Sequence, residues 1–252
     1  MNPWVIAAPA ATAAAAGLTA AWGAVYPQSQ LFGPTIRHTR KANQFALTFD
    51  DGPNPSITPR LLDLLDRRHV RATFFLIGKF VRACPELARE VAARGHCIGN
   101  HTETHPNLFW LSRARLREEL SNCQQAIGET LGQAPRWMRP PYGIRSAFLN
   151  GLVREMKLRG VVMWTLIPGD WREKPAEWLI QRMRPIAQHA EHMGRGGKNR
   201  GGDILVLHDG SHHALNGDRR RTLTALEYWL PRWKDAGLEF VTMDQIAESG
   251  AS

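Results

Sequence analysis

Charge is missing from the start of this 252-residue chain: no Asp, Glu, Lys or Arg occurs between Met1 and Ile36. Residues 3–26 are mostly Ala with Trp, Val, Ile and Leu, and crossing a bilayer takes ~20 such residues. No Lys or Arg precedes the stretch, as one would in an ordinary export signal. The first cations, Arg37, Arg40 and Lys41, follow it, which by the positive-inside rule favours the cytoplasmic face for what comes next. Small residues suited to cleavage leave a removable export signal open. Residues 1–36 are therefore expected to be a membrane-anchor or signal-like segment, with association through 3–26, and residues 37–252 the folded domain. Cysteine is scarce too. Cys84, Cys97 and Cys123 are an odd number, which argues against a disulfide framework or a four-cysteine zinc site. No internal repeat occurs, and no carbohydrate-binding module or wall-binding repeat is expected after the domain. Acidic residues are outnumbered 23 to 32 by Lys and Arg, a net charge of +9. Such a surface attracts anions of many kinds without choosing among them. Hydrophobic residues at 43% and charged residues at 22% exclude wholesale disorder.

What is present is an alternation. Short apolar runs predict strands at Phe45–Phe49, Ala72–Ile77, Cys97–Gly99, Trp137–Arg139, Gly160–Leu166, Ile204–Leu207 and Glu239–Thr242. Amphipathic stretches predict helices at Thr58–Arg68, Pro85–Arg94, Ser112–Leu131, Ser146–Lys157, Pro175–Ala190 and Arg220–Asp235. Leu116, Leu120, Cys123, Ile127 and Leu131 recur at three- or four-residue spacing, one face of a helix. Strands alternating with covering helices imply a parallel α/β sheet, and seven strands suit a slightly irregular barrel. Between the predicted elements, Gly194–Gly202 reads GRGGKNRGG, a glycine-rich basic loop expected on the surface or against an anionic group.

Polar clusters fall where the predicted strands end. Asp50 and Asp51 close the first in TFDDGP, and His101 and His105 follow the third in HTETHP. Arg139 and Tyr142 end the fourth in RPPYG, Asp170 and Trp171 follow the fifth, and His208 follows the sixth in LVLHDG. In a β/α barrel these strand ends share one rim, where active sites are built. Core packing gives no reason for five such clusters there. His101 and His105, four apart, would project from one face of a helical turn, a spacing suited to a metal. Asp51 supplies a carboxylate as third ligand if Gly52 and Pro53 bend the chain. Two His and one carboxylate leave a position open for water, as catalytic sites do. Zn²⁺ is the default ion for this set, and Co²⁺, Ni²⁺ or Fe²⁺ also fit. Asp50 then remains free as a base for a water whose pKa a metal has lowered.

These five motifs, in order, resemble those of the polysaccharide deacetylases with a NodB homology domain, carbohydrate esterase family 4. The resemblance spans roughly residues 43 to 247, and DRRRTLTAL is similar to the family's C-terminal stretch. It implies a distorted (β/α)7 barrel that removes N-acetyl groups from an N-acetylated polysaccharide, oligosaccharide or lipid-linked sugar. Carried over motif by motif, it makes Asp50 the catalytic base, Asp51, His101 and His105 the metal triad, and Arg139 the arginine holding the base. The Tyr142 backbone N–H becomes the oxyanion-hole donor, His208 the general acid and Asp170 its orienting partner. Trp171, Val206 and Pro141 would wall the pocket for the acetyl methyl. Ile167 stands where many members carry another aspartate, and Val206 where leucine is common. O-acetyl ester cleavage or deformylation of a lipid-linked sugar on the same scaffold is the alternative. A silent glycan- or nucleic-acid-binding protein is a remote one, since a binding module needs no base, metal triad and acid; no nucleic acid is expected. Family precedent places such enzymes in the cell envelope or outside it, against the inward reading of the flanking charges.

Overall fold

The first strand shows how the sequence writes this fold. β1 runs Gln44–Gly52 and is buried along its whole length. Successive side chains of a strand point to opposite faces. Phe45, Leu47 and Phe49 accordingly pack outward in the large cluster beneath the helices. Ala46 faces the other way, into a separate cluster with Phe75, Cys97, Trp137, Val162 and Ile204. A strand covered on both faces is the mark of a parallel sheet wrapped in helices.

The structure, a computed structural model, describes Ala15 and residues 17–26, 29–193 and 201–248. A helix over 17–25 (α1) precedes β1. There follow α2 (Thr58–Arg67), β2 (Thr73–Leu76), α3 (Gly78–Ala83), α4 (Pro85–Ala93), β3 (Cys97–Asn100) and α5 (Arg113–Leu131). Then come β4 (Trp137–Met138), α6 (Leu149–Glu155), β5 (Gly160–Val161), α7 (Ala176–Met193), β6 (Ile204–His208), α8 (Arg220–Asp235), β7 (Glu239–Phe240) and α9 (Met243–Glu248). All seven predicted strands and all six predicted helices are present. Ser112 caps α5 by accepting from the Arg115 N–H, and Gly132 ends it at φ 75°.

The strands pair in the order β5-β4-β3-β2-β1-β6, all parallel, and β7 joins the N-terminal end of β1. Beyond β5 the chain turns back to β6 through a bridge between Leu166 and Leu205. Thr165 N–H donates to Ile204 O at 3.0 Å and Val206 N–H to Leu166 O at 3.0 Å. These bonds close the ring, so the expected distorted barrel is the observed one. Its weak points are β4, β5 and β7, two residues each.

No helix among the described residues is long and apolar enough to cross a membrane. The transmembrane helix expected over 3–26 thus finds no support, and residues 3–14 and 16 of that segment lie outside the described residues. So does most of the GRGGKNRGG loop; Gly202, at its end, pairs with Thr39 and Lys41 backbone. The three cysteines are free.

Candidate active site and metal centre

Two adjacent aspartates can reach one cleft only if the strand stops being regular, because neighbours in a strand face opposite sides. β1 does stop. Its register to β2 shifts between Asp50 and Gly52, and Asp51 takes φ 71°. The irregularity turns both carboxylates into the same cleft. Asp209 crowds Gly52 from behind, where any Cβ would meet its carboxylate.

His101 and His105 are not on a helix. They sit in a loop after β3 in which Thr102 and His105 have φ of 67° and 63°. The helical turn expected from their spacing is replaced by side-chain-held turns: Asn100 Oδ1 accepts from the Thr102 N–H at 2.8 Å and Thr102 Oγ1 from the His105 N–H at 3.1 Å. The two rings still converge, at 4.9 Å between centroids. His101 Nδ1 is 2.8 Å from Arg139 O, which leaves Nε2 for the cleft. That atom lies 3.6 Å from Asp51 Oδ1, and His105 Nε2 lies 3.2 Å from it. One ligand atom from each of the three residues falls within 4.8 Å of the others. Asp51 Oδ1 is buried without a hydrogen-bond partner, as is His105 Nδ1. A buried carboxylate oxygen left bare between two imidazole nitrogens is costly unless something charged completes it. Three such donors, hard oxygen and borderline nitrogen, fit a divalent transition ion. Burial would raise the Asp51 carboxyl, but His212 and the surrounding imidazoles outweigh it and hold the group well below the carboxylate range. Burial, reinforced by His101, pushes His105 down to about 2 against the pull of Asp51, so its ring is neutral and able to ligate.

Asp50 is tied differently. Arg139 Nη1 donates to its Oδ1 at 2.8 Å and to Thr48 Oγ1 at 2.7 Å. Arg139 is fully buried in the barrel, with its guanidinium over the Phe75 ring and its remaining N–H groups on Val162 O and Met163 O. The expected arginine–base pair is therefore in place, and Asp50 Oδ2 points toward His101 Nε2 at 3.9 Å.

Across the cleft, β6 pairs with β1 so that His208 stands level with Asp50. Asp170 Oδ1 is 2.8 Å from His208 Nδ1, and its Oδ2 accepts from the His208 N–H at 2.7 Å and from Thr222 Oγ1 at 3.0 Å. Burial works against charging His208, but Asp170, with Asp51 and Asp50 behind it, lifts the ring to about 9. At neutral pH it carries a proton, and the ring nitrogen not held by Asp170 is Nε2.

Asp50, Asp51, His101, His105 and His208 line one cavity of about 470 Å³, while Arg139 and Asp170 are buried and act on it through Asp50 and His208. Its apolar wall is Trp164, Ile167 and Trp171, with Trp171 edge-on to His208 at 5.2 Å. Val206 and Pro141, expected in that wall, are buried behind it and do not line the cavity. Val206 shares the inward face of β6 with His208 but lies one layer deeper. Pro141 opens the turn Pro141–Gly143, where Tyr142 has φ 58° and Gly143 is packed against Trp164. Gly143 and Ile144 N–H groups donate to Pro140 and Pro141, whereas the Tyr142 N–H takes no backbone partner in this turn.

Two residues went unread in the sequence. His212 stacks on His105 at 4.2 Å and 14°, its N–H and Nδ1 lie 3.3 and 3.4 Å from Asp51 Oδ2, and its Nε2 is 3.1 Å from the Tyr142 hydroxyl. The signal available was the paired histidine that follows HDG. Thr222, in DRRRTLTAL, is the second; it fixes the far side of Asp170.

A family model described as polysaccharide deacetylase matches residues 37–161. A chitooligosaccharide deacetylase from Azorhizobium caulinodans is 33% identical over 214 residues, covering 82% of this chain and 96% of that protein. Among solved structures, the Bc1960 peptidoglycan N-acetylglucosamine deacetylase, in complex with a naphthalenyl N-hydroxybenzamide, superposes with a TM-score of 0.71. It is 28% identical, with 84% of this chain and 91% of that one covered. BA3943 from Bacillus anthracis, a carbohydrate esterase family 4 pseudoenzyme, gives a TM-score of 0.70 at 25% identity, covering 84% of this chain and 68% of that one. Fold likeness alone therefore does not grant activity; the residues in the cleft must.

Proposed function

The chain belongs to the polysaccharide deacetylase family, and from that premise we propose that it hydrolyses the acetamide of an N-acetylated amino sugar, releasing acetate and a free amine. The observation that carries the reading is the cleft itself. A carboxylate held by a buried arginine, an Asp-His-His cluster with a bare oxygen, and a charged histidine face one cavity.

Asp51, His101 and His105 would hold a divalent ion, Zn²⁺ by donor preference, with Co²⁺, Ni²⁺ or Fe²⁺ able to replace it. Bound there, such an ion supplies Lewis acidity, polarising a carbonyl and making water a nucleophile at neutral pH. Asp50 takes the proton from the attacking water, while Arg139 keeps its carboxylate aimed. The Tyr142 N–H donates to the oxygen on which negative charge develops. His208 delivers its proton to the departing nitrogen, which without it would have to leave as an amide anion. Asp170 holds the ring with that proton in place, and Thr222 holds Asp170. Trp171, Trp164 and Ile167 enclose the acyl methyl and shed water from it.

The activity test is acetate and amine release from N-acetylglucosamine oligomers and from lipid-linked N-acetyl sugars, after loading with Zn²⁺ or Co²⁺. Silence on every acylated sugar, formamides and O-acetyl esters included, defeats the reading. Loss of turnover in Asp50→Asn with metal retained supports it.

Association with a membrane surface is a second reading, favoured by α1. Leu18, Trp22, Val25 and Tyr26 recur at four, three and one residues, and all are exposed. Downstream in the sequence follow the cations Arg37, Arg40 and Lys41, which would add attraction to anionic lipid. Co-sedimentation of the full chain with vesicles containing phosphatidylserine, but not with neutral ones, is the expected result.

A further inference from the structure

Two fully buried arginines bracket the turn that carries Tyr142: Arg139 and Arg145, each 0% exposed. A buried guanidinium is costly unless its donors are met. Arg139 is met by Asp50. Arg145 pairs with no carboxylate among the described residues. Its Nη1 donates to Ser29 O at 2.7 Å, and its Nη2 to Gly23 O at 2.8 Å and Tyr26 O at 2.7 Å. Its backbone N–H donates to Ala24 O at 3.0 Å. Gly23, Ala24 and Tyr26 close the C-terminal turn of α1, where carbonyls lack helical partners and carry partial negative charge. The end of that helix, with Ser29 O, stands in for the missing anion at both Nη atoms, while Nε is left without a partner.

The seam continues beyond this grip. Asn150 on α6 donates from Nδ2 to Phe32 O at 2.5 Å. Gly33, at φ 100°, packs so closely on the Asn150 side chain that a Cβ there would clash at 2.6 Å. Ile36 N–H donates to Val161 O, and Met163 N–H to Ile36 O. Residues 23–26 and 29–36 are thus stitched to the catalytic turn, to α6 and to β5. The turn itself is tied inward by Arg139 and outward by Arg145, with Tyr142 between them at φ 58°.

We infer that Arg145 is a positioning residue: by gripping the carbonyls of Gly23, Tyr26 and Ser29 it fixes the turn that presents the Tyr142 N–H to the cleft. Residues 23–26 and 29–36 are then a working part of the catalytic unit rather than a detachable tether. The inference rests on the proposed role of Tyr142 as oxyanion donor.

The test uses the full chain with three variants, Arg145→Met, Arg145→Lys and Asn150→Ala. It reads peptide-resolved amide hydrogen exchange over residues 23–36, kcat and KM on the same oligosaccharide, and metal affinity. Arg145→Met should speed exchange across the segment and lower kcat by ~10- to 100-fold, part of the effect of removing an oxyanion donor. KM and metal affinity should hold within about twofold, because an oxyanion contact is made in the transition state and not to the ion. Arg145→Lys, which keeps the charge with fewer donors, should recover part of kcat. Asn150→Ala loosens the same seam without stranding the three carbonyls that Arg145 holds, so it remains readable if Arg145→Met does not fold; a several-fold fall in kcat with faster exchange is expected. Faster exchange with kcat unchanged in these variants overturns the coupling, and lower kcat with exchange unchanged overturns the grip. A wild-type enzyme inactive on every acylated sugar defeats the functional reading instead, and shows it before any variant is made.

Discussion

The two sides of the cleft are built to opposite rules. On the Asp51 side, an acceptor is buried and left bare: Asp51 Oδ1 lacks a hydrogen-bond partner, with His105 Nε2 3.2 Å from it. On the His208 side, Asp170 is bonded by the His208 ring, the His208 backbone and Thr222. A side with unmet acceptors gains stability when a cation arrives. A side already satisfied holds one protonation state and resists change. The contrast assigns the roles: one half receives an ion, the other stores a proton, and Asp50 stands on the boundary, level with His208 on the neighbouring strand.

The hardest blow to this comparison comes from exchanging neighbours on β1. Asp50→Asn should cost turnover by ~10³-fold or more, at the upper end of what a general base contributes, while equilibrium dialysis finds the metal still bound. His101→Ala should lose metal and activity together. If Asp50→Asn also loses the metal, the boundary between the two aspartates is drawn in the wrong place. Next comes Asp170→Asn, with an expected ~10²-fold fall in kcat and a moved pH profile. The protonated His208 is the active form, so activity falls as pH rises through its pKa of about 9. An ion held by Asp51 cancels part of the carboxylate contribution, placing the alkaline limb of the loaded enzyme below that value. Removing the Asp170 charge takes away the largest force opposing burial and leaves only the weaker pull of Asp51 and Asp50, so the limb should move to lower pH again. A limb that stays put separates His208 from the proton transfer.

A gentler cut tests the receiving side. His212 touches no metal ligand atom that faces the cleft, yet it holds Asp51 Oδ2 and stacks on His105. His212→Ala should weaken metal affinity ~10-fold, the usual scale for a residue that orients ligands, with kcat at saturating metal nearly kept. Unchanged affinity in a chelator competition would make His212 a bystander.

How much of this could be read beforehand follows from the length scale of each signal. Strands and long helices announce themselves by periodicity, and β1 through α8 lie where alternating runs placed them. α3 and α9, six residues each, are too short to show a helical period. The motif residues were legible because strand ends on one rim share a purpose. The loop that brings His101 to His105 was not, since positive φ at Thr102 and His105 is enforced by side-chain turns and tertiary packing rather than by spacing. Val206 was misplaced by one layer because a motif gives the facing of a strand residue but not its depth. Arg145 left no trace in the sequence at all: its partners are backbone carbonyls, which every residue has.

The smallest expected effect concerns a second buried imidazole, outside the cleft, that serves as a control for the first. His96 is 6% exposed, and its Nδ1 accepts from the Ala72 N–H at 3.1 Å just before β3 begins. Burial, with help from Arg71 and against Asp66, pushes it down to about 4. Folded His96 therefore binds fewer protons than the unfolded residue between its ordinary value of ~6.5 and that lower value. Its contribution to stability is complete above ~6.5 and is lost as pH falls toward 4, on the order of 3 kcal/mol across the window. His96→Gln keeps an acceptor for Ala72 but cannot titrate. Its melting temperature should start slightly below wild type at pH 7.5 and then fall less steeply on acidification, with deacetylation untouched. His105 is depressed further still, and a bound cation would deepen that depression by favouring the neutral ring. Acid stability of the His96→Gln protein should therefore improve on loading with metal and worsen with chelator. Were the variant and wild type to lose stability in parallel, with or without metal, buried imidazoles would not be what acid attacks first.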